Sequence, residues 1–217
     1  MEPAVHLVEA AGSGTVNEYT PTTAHVTQVG GARVLQLVGL KPLHARAYIC
    51  GPAATCACAP ADNLGLHAAL ARAAVGSVLV CDGGSDLSTA LFGELMGTDA
   101  LNRGVLGLVV TGAVRDVSEL ESMGFPVFGL GTAPAQSSKS RLISVGMPVS
   151  LSGVPVSPGD QIVADRDAVV AVAQANWPAV LAEARQLAAA EEEVLERLRA
   201  GERLADVRSI DLDPQRT

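Results

Sequence analysis

Residues 105–116 read VLGLVVTGAVRD, and this stretch decides the fold. Its first half is a short, dense apolar run, the pattern of a fully buried strand. The second half is expected to turn at Gly112, and it ends in two opposite charges, Arg115 and Asp116. Because charged side chains are rarely fully buried, the stretch predicts a core strand whose far end opens at the surface.

The same pattern of a buried strand followed by a helix recurs along the chain. Two more strands and two helices are predicted at SVLVCDGG (77–84), FPVFGLG (125–131), ADNLGLHAALARAAVG (61–76) and DVSELESMG (116–124). Asp62 or Asn63 can cap the first of these helices and Gly76 can end it, while Gly124 closes the second. Three such strand–helix steps predict a layered α/β core.

The remaining segments are less regular. We predict a pair of strands broken at Gly51–Pro52, and a helical segment over 86–104 that Gly93 and Gly97 interrupt. Residues 147–172 have the turn signals of a set of hairpins, at Ser152–Gly153, Pro158–Gly159–Asp160 and Asp165–Arg166–Asp167.

A long helix within residues 177–207 follows the hairpins, with Pro178 near its start and Gly201 after its end. Because one face is rich in Ala and Leu, we expect this helix to pack on the body and partly across a subunit boundary. The chain therefore divides into an α/β domain, residues 1–175, and a C-terminal helix with its tail, residues 176–217.

The composition limits the classes of function. The chain has 217 residues, of which 48% are apolar and 18% charged, as in a globular protein. A net charge of −8 argues against nucleic acid or an anionic membrane as the main partner. The start MEPAVHLVEA lacks the pattern of a signal peptide, and no apolar run reaches the length of a membrane helix, so we expect a soluble, cytoplasmic protein. The four cysteines lack zinc-site spacing and are expected to be buried free thiols.

The chemistry is expected in two loops that follow strands, where α/β proteins usually bind ligands. The glycines of CDGG (81–84) let backbone N–H groups approach an anion. Arg115 offers a planar fork of donors for a carboxylate or an enolate oxygen, and Asp116 offers a hard oxygen ligand for Mg²⁺ or Mn²⁺. A surface ion pair, with Asp116 capping the helix that follows, is an equally open interpretation. His67 is interpreted as a packing or hydrogen-bonding residue.

Several motifs in order carry a family resemblance: GPAATC (51–56), ADNLGLHAALARA (61–73), GSVLVCDGG (76–84) and FGELMGTDALNRGVLGLVVTGAVRDVSELESMGFPVFGLGTAP (92–134). Over about residues 51–170 the chain resembles the RraA-like family. This family includes 4-hydroxy-4-methyl-2-oxoglutarate / 4-carboxy-4-hydroxy-2-oxoadipate aldolases and regulators of RNase E activity. The resemblance implies an α/β fold with a layered β/β/α, swivelling-domain-like core and a long C-terminal helix. It also implies a homotrimer or homohexamer with sites between subunits.

The resemblance also assigns roles to residues. The aldolases of this family have an acidic residue, twenty intervening positions and then Arg-Asp, and Glu94, Arg115 and Asp116 match this pattern. Asp116 would hold a divalent metal, Mg²⁺ or Mn²⁺, largely through waters, and Arg115 would bind the pyruvyl oxygen. Glu94 would handle a water or a proton. The remaining roles fall on the substrate-binding backbone at Gly93, Leu95 and Met96, on an active-site Lys139, and on Glu191, which would reach a neighbouring subunit's site.

The implied activity is that of a metal-dependent class II pyruvate aldolase. It would cleave a 2-oxo acid in a retro-aldol reaction, or decarboxylate an oxaloacetate-like substrate, through a pyruvate enolate. One alternative is a non-catalytic protein that regulates a ribonuclease by binding it. Another is a biosynthetic lyase that uses the same core on an unusual substrate. Thr111, which stands where family members often have aspartate, leaves the substrate open.

Overall fold

The computed structural model describes residues 19–45 and 47–210. Its strands are β1 (Val34–Gln36), β2 (Lys41–Pro42), β3 (Ile49–Cys58), β4 (Val78–Asp82), β5 (Ala90–Phe92), β6 (Gly107–Val114), β7 (Val127–Thr132), β8 (Leu142–Val145), β9 (Val149–Leu151), β10 (Val154–Val156), β11 (Gln161–Ala164) and β12 (Val169–Val172). Its α-helices are α1 (Thr23–Gly30), α2 (Leu64–Leu70), α3 (Glu94–Asn102), α4 (Val117–Ser122), α5 (Trp177–Arg199) and α6 (Leu204–Val207).

One large mixed sheet organises the protein. Its strand order is β1-β12-β11-β3-β4-β6-β7-β2, with β5 beside β6 and β8 beside β3. Strands β3, β4, β6 and β7 run parallel, whereas β11 and β12 run antiparallel to their neighbours. The carboxyl ends of β4 and β6 therefore meet at one edge of the sheet, which is where the sequence places its candidate site.

Two apolar layers cover the parallel strands. On one face, Leu79 and Leu108 pack against Leu66 of α2 and Leu120 of α4. On the other face, the alternate strand residues pack against the β9–β10 hairpin, where Leu151 is fully buried. Because adjacent strand residues point to opposite faces, the dense apolar runs fill both layers at once. The predicted β/β/α layering is confirmed.

Strand β6 confirms the main prediction and corrects one detail. All eight of its residues are buried, and the strand continues through Gly112 to Val114 without the expected turn. A side chain at Gly112 would press on Leu91, since a Cβ there would lie 2.7 Å from its Cδ1 atom. Glycine at this position therefore allows close packing with Leu91 and does not make a turn.

Three segment predictions were wrong. Residues 49–58 form one continuous strand. Pro52 does not interrupt it, because pairing with β4 begins one residue later, where Ala53 pairs with Val78. No residue of β4 therefore needs the N–H group that proline lacks. Residues 90–92 form strand β5, and α3 then runs through Gly97. Helix α2 is shorter than predicted and ends at Leu70, not near Gly76.

The hairpin prediction was right for two of the three turns. The turns at Ser152–Gly153 and at Asp165–Asp167 join antiparallel pairs, β9–β10 and β11–β12. The turn at 158–160 connects β10 to β11, which lie in different sheets, so it closes no hairpin.

The long terminal helix packs on the body as predicted. Val180 and Ala184 of α5 are fully buried against Val26 of α1 and Val172 of β12. Of the four cysteines, all free, Cys50 is only half-buried and the other three are buried. No helix within residues 19–45 and 47–210 is long and apolar enough to cross a membrane. The N-terminal decapeptide, on which the expected localisation partly rests, lies outside the described residues.

Candidate active site

The end of β6 forms a tight corner that exposes two charged side chains. The backbone N–H of Arg115 donates to the carbonyl of Phe92 at 3.0 Å, which ties the corner to β5. Asp116 then adopts a left-handed conformation, with φ 55° and ψ 42°, and α4 begins at the next residue. This conformation is uncommon for residues other than glycine, and it often marks functional positions.

The Asp116 carboxylate does not cap the helix that follows it. Instead, its Oδ2 atom accepts a 3.1 Å hydrogen bond from the backbone N–H of Glu94, the first residue of α3. The Nε atom of Arg115 lies 3.4 Å from the same oxygen. The carboxylate therefore sits at the positive end of the α3 dipole, beside a guanidinium group. The interpretation of Asp116 as a side-chain cap of α4 was wrong.

Gly93 makes this contact possible. A Cβ at Gly93 would lie 2.5 Å from Oδ2 of Asp116 and 3.0 Å from Cγ of Arg115. Its backbone is extended, with φ −167°, so the requirement for glycine is steric and not conformational. The glycine in FGEL therefore lets the corner and the start of α3 close on each other.

A single cleft collects most of the predicted site residues. It is lined by Asn63, His67, Ala90, Phe92, Gly93, Leu95, Met96, Arg115, Asp116, Gln136 and Lys139. Six of these eleven were predicted from the sequence. Arg115 and Asp116 also border a second, adjoining cleft with Val117 and the segment 132–134. The charged corner is thus open to ligands on two sides.

Two predicted residues lie elsewhere. Glu94 is exposed and meets the site through its backbone N–H, while its side chain is not part of the cleft lining. Glu191 lies on α5, where its Oε2 atom is 3.0 Å from Nε2 of His25. The Nδ1 atom of that imidazole is in turn 3.0 Å from the hydroxyl oxygen of Tyr19. A role for Glu191 in a neighbouring subunit stays a prediction.

Asn63 and His67 are cleft residues that the sequence interpretation missed. The amide of Asn63 donates to the carbonyl of Leu91 at 2.9 Å. Its Oδ1 atom and Nε2 of His67 are buried and have no hydrogen-bond partner among the described residues. Burial and the nearby charge of Lys139 lower the pKa of His67, which favours the neutral form of the imidazole. Their spacing of four residues at the start of a predicted helix, which places both on one face, was the available signal.

The donor set at the corner fits a hydrated divalent cation and not a closed cage. Within the described residues, no group of three or more His, Cys, Asp and Glu side chains could hold a metal ion. Mg²⁺ usually keeps several waters and is bound through one or two carboxylates. Asp116 supplies one such carboxylate, because the hydrogen bond from the N–H of Glu94 uses only one of its two oxygens, Oδ2. The corner is therefore suited to Mg²⁺ or Mn²⁺ held largely through water.

Thr111 has a local structural role. Its hydroxyl accepts from the N–H of Gly83 at 3.0 Å and donates to Oδ1 of Asp82 at 3.2 Å. These bonds fix the glycine turn after β4 against β6, next to the corner. Thr111 thus supports the loop through a neutral side chain.

Comparisons with known proteins agree with this architecture. The family model RraA-like, described as Aldolase/RraA, matches residues 9–171. A protein of Halalkalibacterium halodurans named "Putative 4-hydroxy-4-methyl-2-oxoglutarate aldolase" is 36% identical over 153 residues, which cover 70% of this chain and 73% of that protein. The RNA-processing inhibitor RraA from Thermus thermophilis is 30% identical with a TM-score of 0.66, and the match covers 72% of this chain and 94% of that one.

A Pseudomonas syringae protein gives a TM-score of 0.78 at 23% identity and supports the fold alone. That match covers 88% of this chain and all of that one. The fold and the corner after β6 define an α/β protein with an open, charged cleft at the carboxyl ends of parallel strands. The chain belongs to the RraA-like family.

Proposed function

We propose that this chain is a divalent-metal-dependent carbon–carbon lyase acting on 2-oxo acids, by retro-aldol cleavage or by decarboxylation of an oxaloacetate-like substrate. The observation that carries the proposal is the Arg115–Asp116 corner, which is held against the start of α3 in a cleft that also contains Lys139. The aldolase names of curated relatives support the same class of reaction.

The corner suits the pyruvyl end of such a substrate. The Arg115 guanidinium is always protonated, so it can donate to the C2 oxygen as that atom gains enolate charge. The first N–H groups of a helix have no intrahelical acceptor, and Leu95 and Met96 offer theirs at the cleft wall to the substrate carboxylate. A divalent cation at Asp116 would supply Lewis-acid polarisation of the ketone.

Proton transfers belong to the other end of the cleft. A neutral imidazole with an unpartnered Nε2 can accept a proton, and the lowered pKa of His67 favours this form. Lys139 places a cation beside it and stabilises anionic groups on the distal half of the substrate. Glu94 at the rim, and Glu191 from a neighbouring copy in a trimer or hexamer, would complete the handling of water and protons.

A regulator of ribonuclease activity is the second candidate, favoured by the structural similarity to the RNA-processing inhibitor of Thermus thermophilis. Such a protein needs an exposed binding surface and makes no use of a charged corner inside a cleft. A biosynthetic lyase with an unusual substrate would use the same corner. The pairing of Arg115 with Asp116 is the observation that favours a lyase over a regulator.

The deciding experiment is direct. Purified protein with Mg²⁺ or Mn²⁺ is assayed for pyruvate release from oxaloacetate and from 4-hydroxy-4-methyl-2-oxoglutarate, and for exchange of pyruvate methyl protons in D₂O by NMR. We expect release and exchange that EDTA abolishes and added metal restores. Absence of both reactions with every divalent metal tested would favour the regulator.

A further inference from the structure

We infer that Asp62 is a positioning residue that holds the segment 136–141 in place and thereby fixes Lys139 in the cleft. Asp62 lies just before α2 and is almost fully buried, with 2% of its surface exposed. It does not itself line the cleft. Its role in the reaction rests on the proposed function, whereas its effect on the loop does not.

One oxygen of Asp62 accepts four hydrogen bonds from this segment. Its Oδ2 atom accepts from Oγ of Ser138 at 2.6 Å, from the N–H and the hydroxyl of Ser140 at 2.6 and 2.9 Å, and from the N–H of Arg141 at 3.2 Å. Lys139 lies between the two serines, so its backbone is fixed from both sides.

The second oxygen links this segment to the opposite wall. Oδ1 of Asp62 accepts from the N–H of Leu64 at 2.9 Å, at the start of α2. Helix α2 is preceded by Asn63 and carries His67, the two residues with unpartnered cleft atoms. The carboxylate therefore joins the lysine side of the cleft to the histidine side, alongside two backbone hydrogen bonds, from the N–H of Ser138 to Ala61 and from the N–H of Asn63 to Ser138.

The bonding pattern requires a carboxylate. Burial raises the pKa of Asp62, but the hydrogen bonds from Ser138, Ser140 and Leu64 outweigh this effect and lower it well below the usual value. An asparagine can keep only one acceptor oxygen. Turned toward the segment, this neutral oxygen accepts more weakly than a carboxylate and leaves the N–H of Leu64 facing the NH₂ group. Turned toward Leu64, it leaves the N–H groups of Ser140 and Arg141 facing the NH₂ group. Asp62→Asn therefore preserves the shape and weakens the hold on the segment in either orientation.

The first test measures the loop and needs no catalytic activity. Hydrogen exchange in Asp62→Asn is expected to speed up by at least about tenfold at the amides of Ser140 and Arg141. Asp165→Asn is the matched control, because Asp165 accepts four hydrogen bonds, against five at Asp62, and lies in the β11–β12 turn, outside this segment. Unchanged exchange at both amides in folded Asp62→Asn would overturn the inference.

The second test is a double-mutant cycle with Lys139→Ala. We expect Asp62→Asn to lower kcat/KM by on the order of ten- to a hundredfold in the wild-type background, and by less than about twofold when Lys139 is already alanine. A purely structural effect of Asp62 would lower kcat/KM equally in both backgrounds, and that result contradicts the positioning role. Ser140→Ala, which removes only one donor, should give a smaller effect in the same direction and serves if Asp62→Asn folds poorly.

The two tests separate the two proposals. Wild-type protein without lyase activity, together with accelerated exchange in Asp62→Asn, would reject the proposed function and retain the positioning of Lys139. Active wild-type protein, together with unchanged exchange in Asp62→Asn, would support the proposed function and reject the positioning of Lys139.

Discussion

Two aspartates that lie just after buried strands have different hydrogen-bond partners. Asp116 follows β6 in the parallel half of the sheet, and Asp165 follows β11 in the antiparallel half. Asp116 accepts one backbone hydrogen bond, from Glu94. Asp165 accepts four, from the N–H and hydroxyl of Thr23 and from the N–H groups of Asp167 and Ala168.

The difference separates a carboxylate used for structure from one available to a ligand. The four donors around Asp165 fasten α1 to the β11–β12 turn, and they lie among packed elements. Asp116 instead faces two adjoining clefts and keeps an arginine beside it. A carboxylate whose acceptor sites are filled adds to stability, whereas one with open sites costs little to remove and can bind a cation or a substrate.

The largest effect is expected when each aspartate is neutralised in turn, which tests whether Asp116 and Asp165 have different roles. Asp116→Asn is expected to lower the proposed lyase activity by on the order of a thousandfold or more, because the proposed cation would lose its anchoring charge, with a small change in Tm. Asp165→Asn is expected to behave in the opposite way, losing stability and retaining kcat per folded molecule. Activity assays and thermal unfolding of both variants test the pair. Equal losses of activity in the two variants would contradict the assignment of Asp165 to structure and Asp116 to ligand binding.

Arg115→Lys tests whether geometry or charge matters at the corner. Lysine keeps the positive charge but lacks the planar fork, so kcat/KM is expected to fall by on the order of a hundred- to a thousandfold, the usual cost of one preorganised donor at a developing oxyanion. Arg103→Lys is the control, since Arg103 pairs with Asp99 on the exposed side of α3. Full activity of Arg115→Lys would show that charge alone suffices.

Gly93→Ala sharpens the comparison by moving the Asp116 carboxylate without changing its chemistry. The added methyl group would lie 2.5 Å from Oδ2, while the extended backbone accepts alanine. We expect kcat/KM to fall by roughly tenfold or more with a small change in Tm, since misplacement by about 1 Å can cost up to a hundredfold. Gly131→Ala, whose Cβ would meet Leu87 only at ordinary contact distance, should leave activity unchanged.

The corner was predictable because its signals are adjacent in the sequence. The apolar run of β6 and the Arg-Asp pair lie within twelve residues, and the strand pattern alone fixes which end carries the charges. Asp165 shows where this reasoning fails: its own turn, Asp-Arg-Asp, also follows an apolar strand. Two of its four hydrogen bonds come from the nearby N–H groups of Asp167 and Ala168, but the other two come from Thr23, which lies 142 positions away along the chain and which no local pattern indicates.

The missed features depend on the same kind of distant pairing. Strand β5 has three residues, too few for a periodic pattern, and it exists because Ala90 and Phe92 pair with β6. His67 becomes a cleft residue only when the segment with Lys139 is placed opposite it. Local patterns therefore predicted the layers and the charged corner. The second wall of the cleft required contacts across more than seventy positions.

The smallest expected effect concerns acid stability. Burial raises the pKa of Asp165, but the bonds from Thr23, Asp167 and Ala168 outweigh it and the net pKa is lowered. A carboxyl with a lowered pKa in the folded state stabilises the protein above its unfolded pKa, about 3.9, and this contribution is lost as the pH falls toward the folded value. The free energy of unfolding of Asp165→Asn should thus lie roughly 1–2 kcal/mol below wild type at pH 7.

That gap should narrow between pH 5 and pH 3, as measured by urea unfolding. Asp167→Asn is the control within the same turn, because Asp167 contributes its backbone N–H and not its carboxylate to the network around Asp165. Its unfolding free energy should follow wild type across the whole range. A gap for Asp165→Asn that stays constant down to pH 3 would mean that the turn is stabilised by shape and not by the charge of Asp165. The contrast with the open carboxylate of Asp116 would then rest on ligand access alone.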